Sequence, residues 1–480
     1  MMRDNRQVAI NTQTEDVVPF RDDKQIPSAE TQTSFQQKVS YSLPTGITWF
    51  LGAPMIIILP GMYAKYFGLT LTSIAMVLLI SRLFDAVTDP VIGYLSDRYR
   101  KWSGTRKPLI ILGAVGIVVG SYLLFVPPAD VTVAYFLTCS LIFYLGWTLF
   151  EVPHLAWGGE LATDYRDKTR IYTMRGFFTS LGPLLFFTIP LLGIFESKEF
   201  TPEMLKWSVL VCALLAIPMI LLCIKTVPSG RVSDIDKQDS FRLLIDSILR
   251  NRPFLLFLVT YVVLGIGMGM WIGVTFIFID AYLGLGEKMA LAFTLGALAG
   301  IISIGLWYKL ADWYGKKWAW GTGMAVGAIA MGGFAWLTPG EQSLIPLVTL
   351  MCAAYCAFAA MQTLTPSLLS DIVDYSTWKF GVDRGGTFFS VYLICTKANM
   401  SVGAGLGLGI AGWYGLDPSA AIHTEESLFG LFLSISYMPA FLFLASIILI
   451  MLMPIDARRH RIIQRRLAMR AHQTIRHAHV

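Results

Sequence analysis

SRLFDAVTDPVIGYLSDR, residues 81–98, is the stretch from which the rest of this chain can be read. It lies at the end of an apolar run, about 71–95. A helix needs roughly 20 apolar residues to cross a bilayer, and this run is long enough. Within it Asp85 and Asp89 stand four residues apart, so they share one helix face. An ionised carboxylate inside a membrane costs about 2.5–3.5 kcal/mol on an insertion scale, so such residues mark ion or solute pathways. Two carboxylates on one face also repel each other. Two readings stand. The pair is a coupling-cation site with oxygen ligands, or it belongs to a structural ion-pair network with Arg82, three residues before Asp85.

The same run length recurs along the chain. The 480 residues are 55% hydrophobic and 15% charged, with a mean hydropathy of +0.59. Soluble domains carry about 25% charged residues. Apolar runs fall at about 43–67, 71–95, 108–126, 131–156, 171–195 and 205–226, and again at about 253–282, 287–309, 318–337, 343–369, 384–413 and 427–453. Backbone groups in lipid must be satisfied internally, so these are helices. A membrane barrel would show alternating segments of about ten residues instead. The expected fold is an all-α integral membrane protein with twelve transmembrane helices in two six-helix halves. Its divisions are a disordered leader (1–38), a first half (39–226), a polar central linker (227–252), a second half (253–454) and a basic tail (455–480).

The halves echo each other. GYLSDRYRKWSGTRKP (Gly93–Pro108) and LADWYGKKW (Leu310–Trp318) both read Leu-x-Asp, an aromatic, a glycine and a basic pair. Pro153 precedes Glu160 and Asp164-Tyr165; Pro366 precedes Asp371 and Asp374-Tyr375. Such repeats are the pattern of secondary transporters with a midplane site. Basic residues gather in alternate loops, at Arg98, Arg100, Lys101, Arg106 and Lys107, at Arg166, Lys168 and Arg170, and at Lys316 and Lys317. That side, with both termini, is expected to be cytoplasmic. The net charge of +6 and pI of about 8.9 therefore orient the protein and meet anionic membrane lipid; no nucleic-acid partner is expected.

Other charged residues lie inside the runs. Span 4 ends in LGWTLFEVPHLAW, with Glu151 one turn after Thr148 and Pro153 breaking the hydrogen-bond ladder nearby. Glu151 completes a cation site or accepts hydrogen bonds from a solute; alternatively Lys397 or Arg175 neutralises it. His154 reads as a proton relay or, more plainly, as a hydrogen-bonded histidine. Arg175 sits near one end of span 5, where snorkelling competes with function. Lys397 is mid-span and needs an acidic partner or a cavity. Asp280 reads as solvated. Asp97, Arg98, Arg106 and Lys107 read as a cytoplasmic gate pinning helix ends, or as orientation signals alone. All six cysteines lie in apolar runs and suggest neither disulfides nor a metal site. There is no phosphate-binding G-x-x-x-x-G-K-[ST] and no hydrolase motif, so no ATP, no cofactor and no enzyme activity are expected.

These residues resemble the glycoside–pentoside–hexuronide:cation symporters of the major facilitator superfamily, the family of the melibiose permeases. The likeness covers about residues 39–454 and rests on three motifs in order: RLFDAVTDPVIGYLSDR with the GTRKP that follows, EVPHLAWGGELATDYRDKTRIYTMRGFF, and DIVDYSTWK followed by Lys397. The resemblance implies that Asp85, Thr88, Asp89 and Thr148 bind the coupling cation, Na+ or H+. It implies that Glu151 binds the solute, with Arg175 and Lys397 as cationic partners. Two positions depart from the melibiose pattern in the solute site. Trp49 stands where a sugar-binding aspartate is expected, and can stack on a sugar face but not accept its hydroxyls. Leu155 replaces a span 4 tryptophan. In the cation site Thr88 replaces an asparagine.

The resulting expectation is a multi-pass protein of a bacterial inner membrane. It would be a symporter in which a cation relieves unpaired negative charge, orders Glu151 and so favours a small solute, a glycoside or other carbohydrate. A lysolipid or other amphiphile is the rival solute, and a non-transporting sensor the rival class.

Overall fold

The computed structural model describes residues 33–161, 165–230, 251–380, 385–420, 422–454, 459–467 and 469. Most of the expected leader, central linker and tail lie outside the described residues, as does Asp164 of the second motif.

Among the described residues the chain is helical throughout, without a strand. Span 1 is a broken helix, Phe35–Ile57 followed by Leu59–Phe67, bent by 53°. Spans 2 to 6 are Leu71–Ser103, Lys107–Phe125, Val133–Leu161, Tyr165–Thr188 and Pro202–Thr226. Spans 7 to 9 are Arg252–Ile277, Gly286–Tyr314 and Lys316–Gly333. Spans 10 and 11 are Leu344–Phe380 and Gly385–Trp413, and span 12 runs through Glu425–Phe432, a π-turn and Met438–Met451. Ten of these pass a test of length and apolar character alone, and the broken span 1 makes eleven. Span 9 is the twelfth. Its lysines and many glycines, KKWAWGTGMAVGAIAMGG, dilute its hydropathy, yet it packs on spans 10 and 12 like its counterpart.

Several helices outrun their apolar cores. Span 2 continues through LSDRYRKW and stops at Gly104, whose φ of 73° closes the helix at no steric cost. Span 1 begins at Phe35, inside the expected leader, because Ser34 and Gln37 form a reciprocal capping box.

The packing is a repeat. In the first half span 1 lies against spans 5 and 6, span 4 against spans 2 and 3, and span 3 against span 6. In the second half span 7 lies against 11 and 12, span 10 against 8 and 9, and span 9 against 12. The halves meet where span 2 crosses span 11 and span 5 crosses span 8. Glycines permit the tightest approach: a Cβ on Gly113 would lie 2.3 Å from the Phe150 backbone nitrogen, and one on Gly146 would lie 2.5 Å from the Gly116 carbonyl carbon. Membrane helices associate through such small residues because lipid offers no hydrophobic drive between them. Trp102, Trp313 and Trp318 are exposed at one face, and Trp207, Trp336 and Trp413 at the other, forming the aromatic belts of a membrane protein.

The face away from the termini is sealed. Gly61 lies directly under the Phe276 ring, and Phe187 stacks on Phe293 with centroids 4.8 Å apart. Lys65 of span 1 bonds Asp280 beyond span 7 at 2.9 Å and lies 3.6 Å from Glu199. The reading of Asp280 as merely solvated is corrected: its side chain is one-tenth exposed and ties the two halves together.

Candidate functional site

Three acid–base pairs occupy the middle of the bundle. Arg82 donates to Asp85 Oδ2 at 2.6 Å, one turn apart on span 2, and its guanidinium lies 4.2 Å above the Tyr144 ring. Asp89 accepts from the Thr148 hydroxyl of span 4 at 2.9 Å. Both oxygens of Asp89 also accept from the Lys397 ammonium of span 11, at 2.9 and 2.7 Å. Glu151 accepts from Arg175 of span 5. Spans 2, 4, 5 and 11 thus converge, and Thr148 and Glu151, three residues apart, present the Asp89 and Arg175 contacts on one face of span 4.

The chain builds this cluster locally before it packs. Pro153 removes the backbone donor that would reach Leu149, loosening span 4 just past Glu151. Gly405 of span 11 lets Leu79 and the Ala75 carbonyl of span 2 come close, which carries Lys397 to Asp89. The Thr88 hydroxyl points back to the Asp85 carbonyl at 3.5 Å and touches neither carboxylate of its neighbours. Trp49 meets Trp147 edge to face with centroids 5.3 Å apart, and Trp147 lies over Gly52.

One expectation is corrected here. The sequence reading has Asp85 and Asp89 facing a single nearby base, Arg82, so that the empty site carries negative charge without a partner. Instead Asp85, Asp89 and Glu151 each have a cation, because two of the bases arrive from spans that neighbour the acids only in space. Pairing is incomplete at the level of atoms. Asp85 Oδ1, Glu151 Oε2, Arg82 Nε, Arg175 Nε and Tyr144 Oη are buried without a hydrogen-bond partner among the described residues. Such atoms are rare in folded proteins and call for water, an ion or a ligand. Asp85 Oδ1, the Asp89 carboxylate and the Thr148 hydroxyl are hard oxygen donors, which suits Na+. Among the described residues no three or more His, Cys, Asp or Glu side chains are placed to hold a metal ion together, so hydroxyl and backbone oxygens would have to complete a metal shell.

His154 is fully buried; its Nε2 meets the Tyr41 carbonyl at 2.9 Å while the Tyr41 hydroxyl donates to the His154 carbonyl at 2.7 Å. Its ring stacks on Tyr41 at 4.2 Å. It clasps span 4 to span 1, the plainer of its two readings.

The loop charges separate into roles that spacing alone did not assign. Arg106 donates to Asp97 at 2.6 Å and to Glu160 at 2.9 Å, and Lys107 donates to the Ile224 carbonyl at 2.7 Å. Arg98 is exposed. Sequence reasoning gave no site role to Arg100 and Glu160, which form the hub: Arg100 reaches Glu160 at 3.0 Å and the Ser229 and Gly230 carbonyls at 3.0 and 2.9 Å. The available signal was Glu160 inside the second motif, a lone acid facing a basic loop.

Comparison with known proteins agrees with this architecture. A putative glycoside/cation symporter of Escherichia coli, YagG, is 23% identical over 91% of this chain and 95% of its own length. The zebrafish (Danio rerio) sodium-dependent lysophosphatidylcholine symporter 1-A is 23% identical over 80% of this chain and 79% of its own length. The crystal structure of the nucleoside transporter NupG superposes with a TM-score of 0.59 at 14% identity, covering 85% of this chain and 98% of that one. The family model described as MFS/sugar transport protein matches residues 40–457, and with the paired halves and the three motifs on spans 2, 4–5 and 10–11, the chain belongs to that family of multi-pass membrane transporters.

Proposed function

We propose that this protein is a cation-coupled symporter carrying a glycoside or related small organic solute by alternating access. Asp85, Thr88, Asp89 and Thr148 hold the coupling Na+ or H+. Glu151, Arg175, Lys397 and Trp49 face the solute. The observation that carries this reading is the two buried, unpartnered carboxylate oxygens, Asp85 Oδ1 and Glu151 Oε2, in the same cluster of spans as the Asp89–Lys397 contact.

The geometry supports a definite order of events. Lys397, from the second half, occupies Asp89. A cation that binds Asp85 and Asp89 competes with that ammonium and frees it toward Glu151 and the solute. Solute and cation then favour the same arrangement of the halves, and by linkage each tightens the other. The basic, terminus-bearing face is cytoplasmic on charge grounds, so the seal of Lys65, Asp280, Gly61 and Phe276 closes the outer side and the conformation is inward-facing. Asp97, Arg106 and Lys107 bond within the first half here and form the cytoplasmic gate in the opposite state, with Arg98 beside them. On this reading residues 39–226 and 253–454 are the moving halves, joined by 227–252.

An amphiphilic solute is the second reading. The Trp49–Trp147 corner favours it, being apolar where a sugar site needs acceptors, and a relative carries lysophosphatidylcholine by name.

The test is thermal stability of purified protein in NaCl against choline chloride across pH, followed by uptake into proteoliposomes of a glycoside panel and of lysophosphatidylcholine. Protection by Na+ that Asp85→Asn and Asp89→Asn each remove supports the cation site. Protection that survives both substitutions sinks it. Binding without accumulation would favour a sensor.

A further inference from the structure

Among the described residues, six ionised side chains meet at mid-depth, and their charges sum to zero. Asp85, Asp89 and Glu151 supply three negative charges; Arg82, Arg175 and Lys397 supply three positive ones. His154 adds none. Its Nε2 faces the Tyr41 carbonyl and so carries the proton. A second proton at Nδ1 would be a buried donor without a partner, between the Tyr41 and Phe150 rings. The empty cluster is therefore neutral. A coupling cation, Na+ or H+ alike, makes it +1. Uncompensated charge is costly at this depth, so a charge of opposite sign has to arrive with the cation.

The ion pairs locate the place for it. Asp85 and Asp89 together hold Arg82 and Lys397. A cation seated on those two acids replaces Lys397, and Asp85, Asp89, Arg82 and the cation then balance. The released ammonium is the surplus. It lies within electrostatic reach of Glu151, whose charge Arg175 already matches. Glu151 Oε2 and Arg175 Nε are each buried without a partner; the first accepts and the second donates. The solute side thus offers an ammonium and a guanidinium N–H to an anionic group, and one carboxylate oxygen to a hydroxyl. Trp49 contributes no charge there. An aspartate in its place would be a fourth acid, and the cation alone would then balance the cluster.

We propose that the solute is a hydroxylated monoanion, its one carboxylate or phosphodiester group seated on Lys397 and Arg175, and that its charge offsets that of the coupling cation. This rests on the symport reading of the same site. Empty and loaded carriers are then both neutral, so neither half of the cycle drags net charge through lipid. A neutral solute would leave the loaded carrier at +1. Without the cation, Asp89 keeps Lys397 and the anion meets a site already in balance. Solute binding therefore depends on the cation, and by linkage the cation binds better with the solute present.

The experiment uses the full-length protein in proteoliposomes and pairs of solutes that differ by one charge. The p-nitrophenyl β-glucuronide competes with the β-glucoside, the galacturonide with the galactoside, and lysophosphatidylglycerol with zwitterionic lysophosphatidylcholine. The sugar pairs and the lipid pair separate the two sources of the anionic group. The anionic member should have the lower KM, on the order of 10–100-fold, the worth of one charge-assisted hydrogen bond. Its initial rate should ignore a potential imposed with K+ and valinomycin, because one cation and one monoanion cross together. Equal or better uptake of the neutral member, or anion uptake that follows the potential, overturns the charge class and leaves symport standing. A second arm tests the charge count with no solute present. Trp49→Asp should tighten cation binding about fivefold, the scale of a partly exposed charge pair, while Trp49→Asn should not, both read by thermal protection. Equal effects of the two substitutions overturn the count, whichever solutes are carried. Folded parent protein that Na+ does not protect and whose stability ignores pH would sink symport itself, and this inference with it.

Discussion

The two halves are packed alike and charged unlike. Every major contact of the first has its counterpart in the second. At mid-depth, however, the first half holds Arg82, Asp85, Asp89, Glu151 and Arg175, whereas the second holds Lys397 within a neutral frame. That frame is made of hydroxyls and an amide: Tyr261 with Thr396 at 2.8 Å, Tyr392 with Thr365 at 2.9 Å, and the Asn399 amide donating to the Tyr261 carbonyl at 3.1 Å. Packing is steric and survives duplication with small residues at the crossings. Charge is expensive in lipid, so it concentrates where a ligand can use it. Asp89–Lys397 is where the charged half and the neutral half meet, and among the described residues the other ion pair between them is Lys65–Asp280.

The comparison breaks most sharply at that central contact. Asp89→Asn or Lys397→Met alone leaves a buried charge without its partner and should cost about 3 kcal/mol. The double substitution removes both charges and should recover most of the loss. Thermal unfolding in nanodiscs reads the difference; additive costs would mean that the two side chains do not hold the halves together. Next is Glu151→Gln, which keeps the shape and an acceptor for Arg175 but removes the carboxylate charge of the ion pair. On the site assignment it should weaken solute binding on the order of 10–100-fold, read by uptake kinetics. An unchanged KM would reduce Glu151 to an anchor for Arg175.

Smaller effects sharpen the asymmetry between the faces. Lys65→Ala removes a part-exposed bridge worth about 1 kcal/mol, so the closed-to-open ratio of that face should fall about fivefold. An impermeant maleimide would report it at Ala75→Cys, which is buried at the crossing of spans 2 and 11. No increase in labelling would assign the seal to Gly61, Phe276 and the aromatic stack. Least of all, Arg98→Ala should change stability by under about 0.5 kcal/mol, because the side chain is exposed. Arg106→Ala, which breaks up the Glu160 hub, should cost several times more. Equal costs would return both residues to the single role of orienting the protein.

The readable part of the site was local. Asp85 and Asp89 share a face by helical period alone, and Arg82 lies within one turn, so that ion pair was foreseen as one of two readings. Lys397 announced its need for an acid by depth. Which acid it meets is not legible: the sequence points to Glu151, and nothing in spacing or depth points to Asp89 on another span. In sequence Arg175 and Lys397 are alternatives for Glu151; the crossing of span 11 over span 2 sends Lys397 to Asp89 and leaves Arg175 for Glu151. His460 carried no signal at all, because its partners, Asp371 and Asp374, belong to span 10 and lie far from it in the sequence.

What the sequence by itself determined is therefore the class of molecule: helices long enough to span a bilayer, their duplication, and the few charges that lipid would not tolerate without a purpose. Run length, helical period and the cost of burying charge act within a single segment, so they can be read one segment at a time. Tertiary structure alone decided which charges neutralise one another and which face is sealed. Those outcomes depend on where small residues let two helices approach, and a separation of a few ångströms in space between residues hundreds of positions apart has no local trace in the chain.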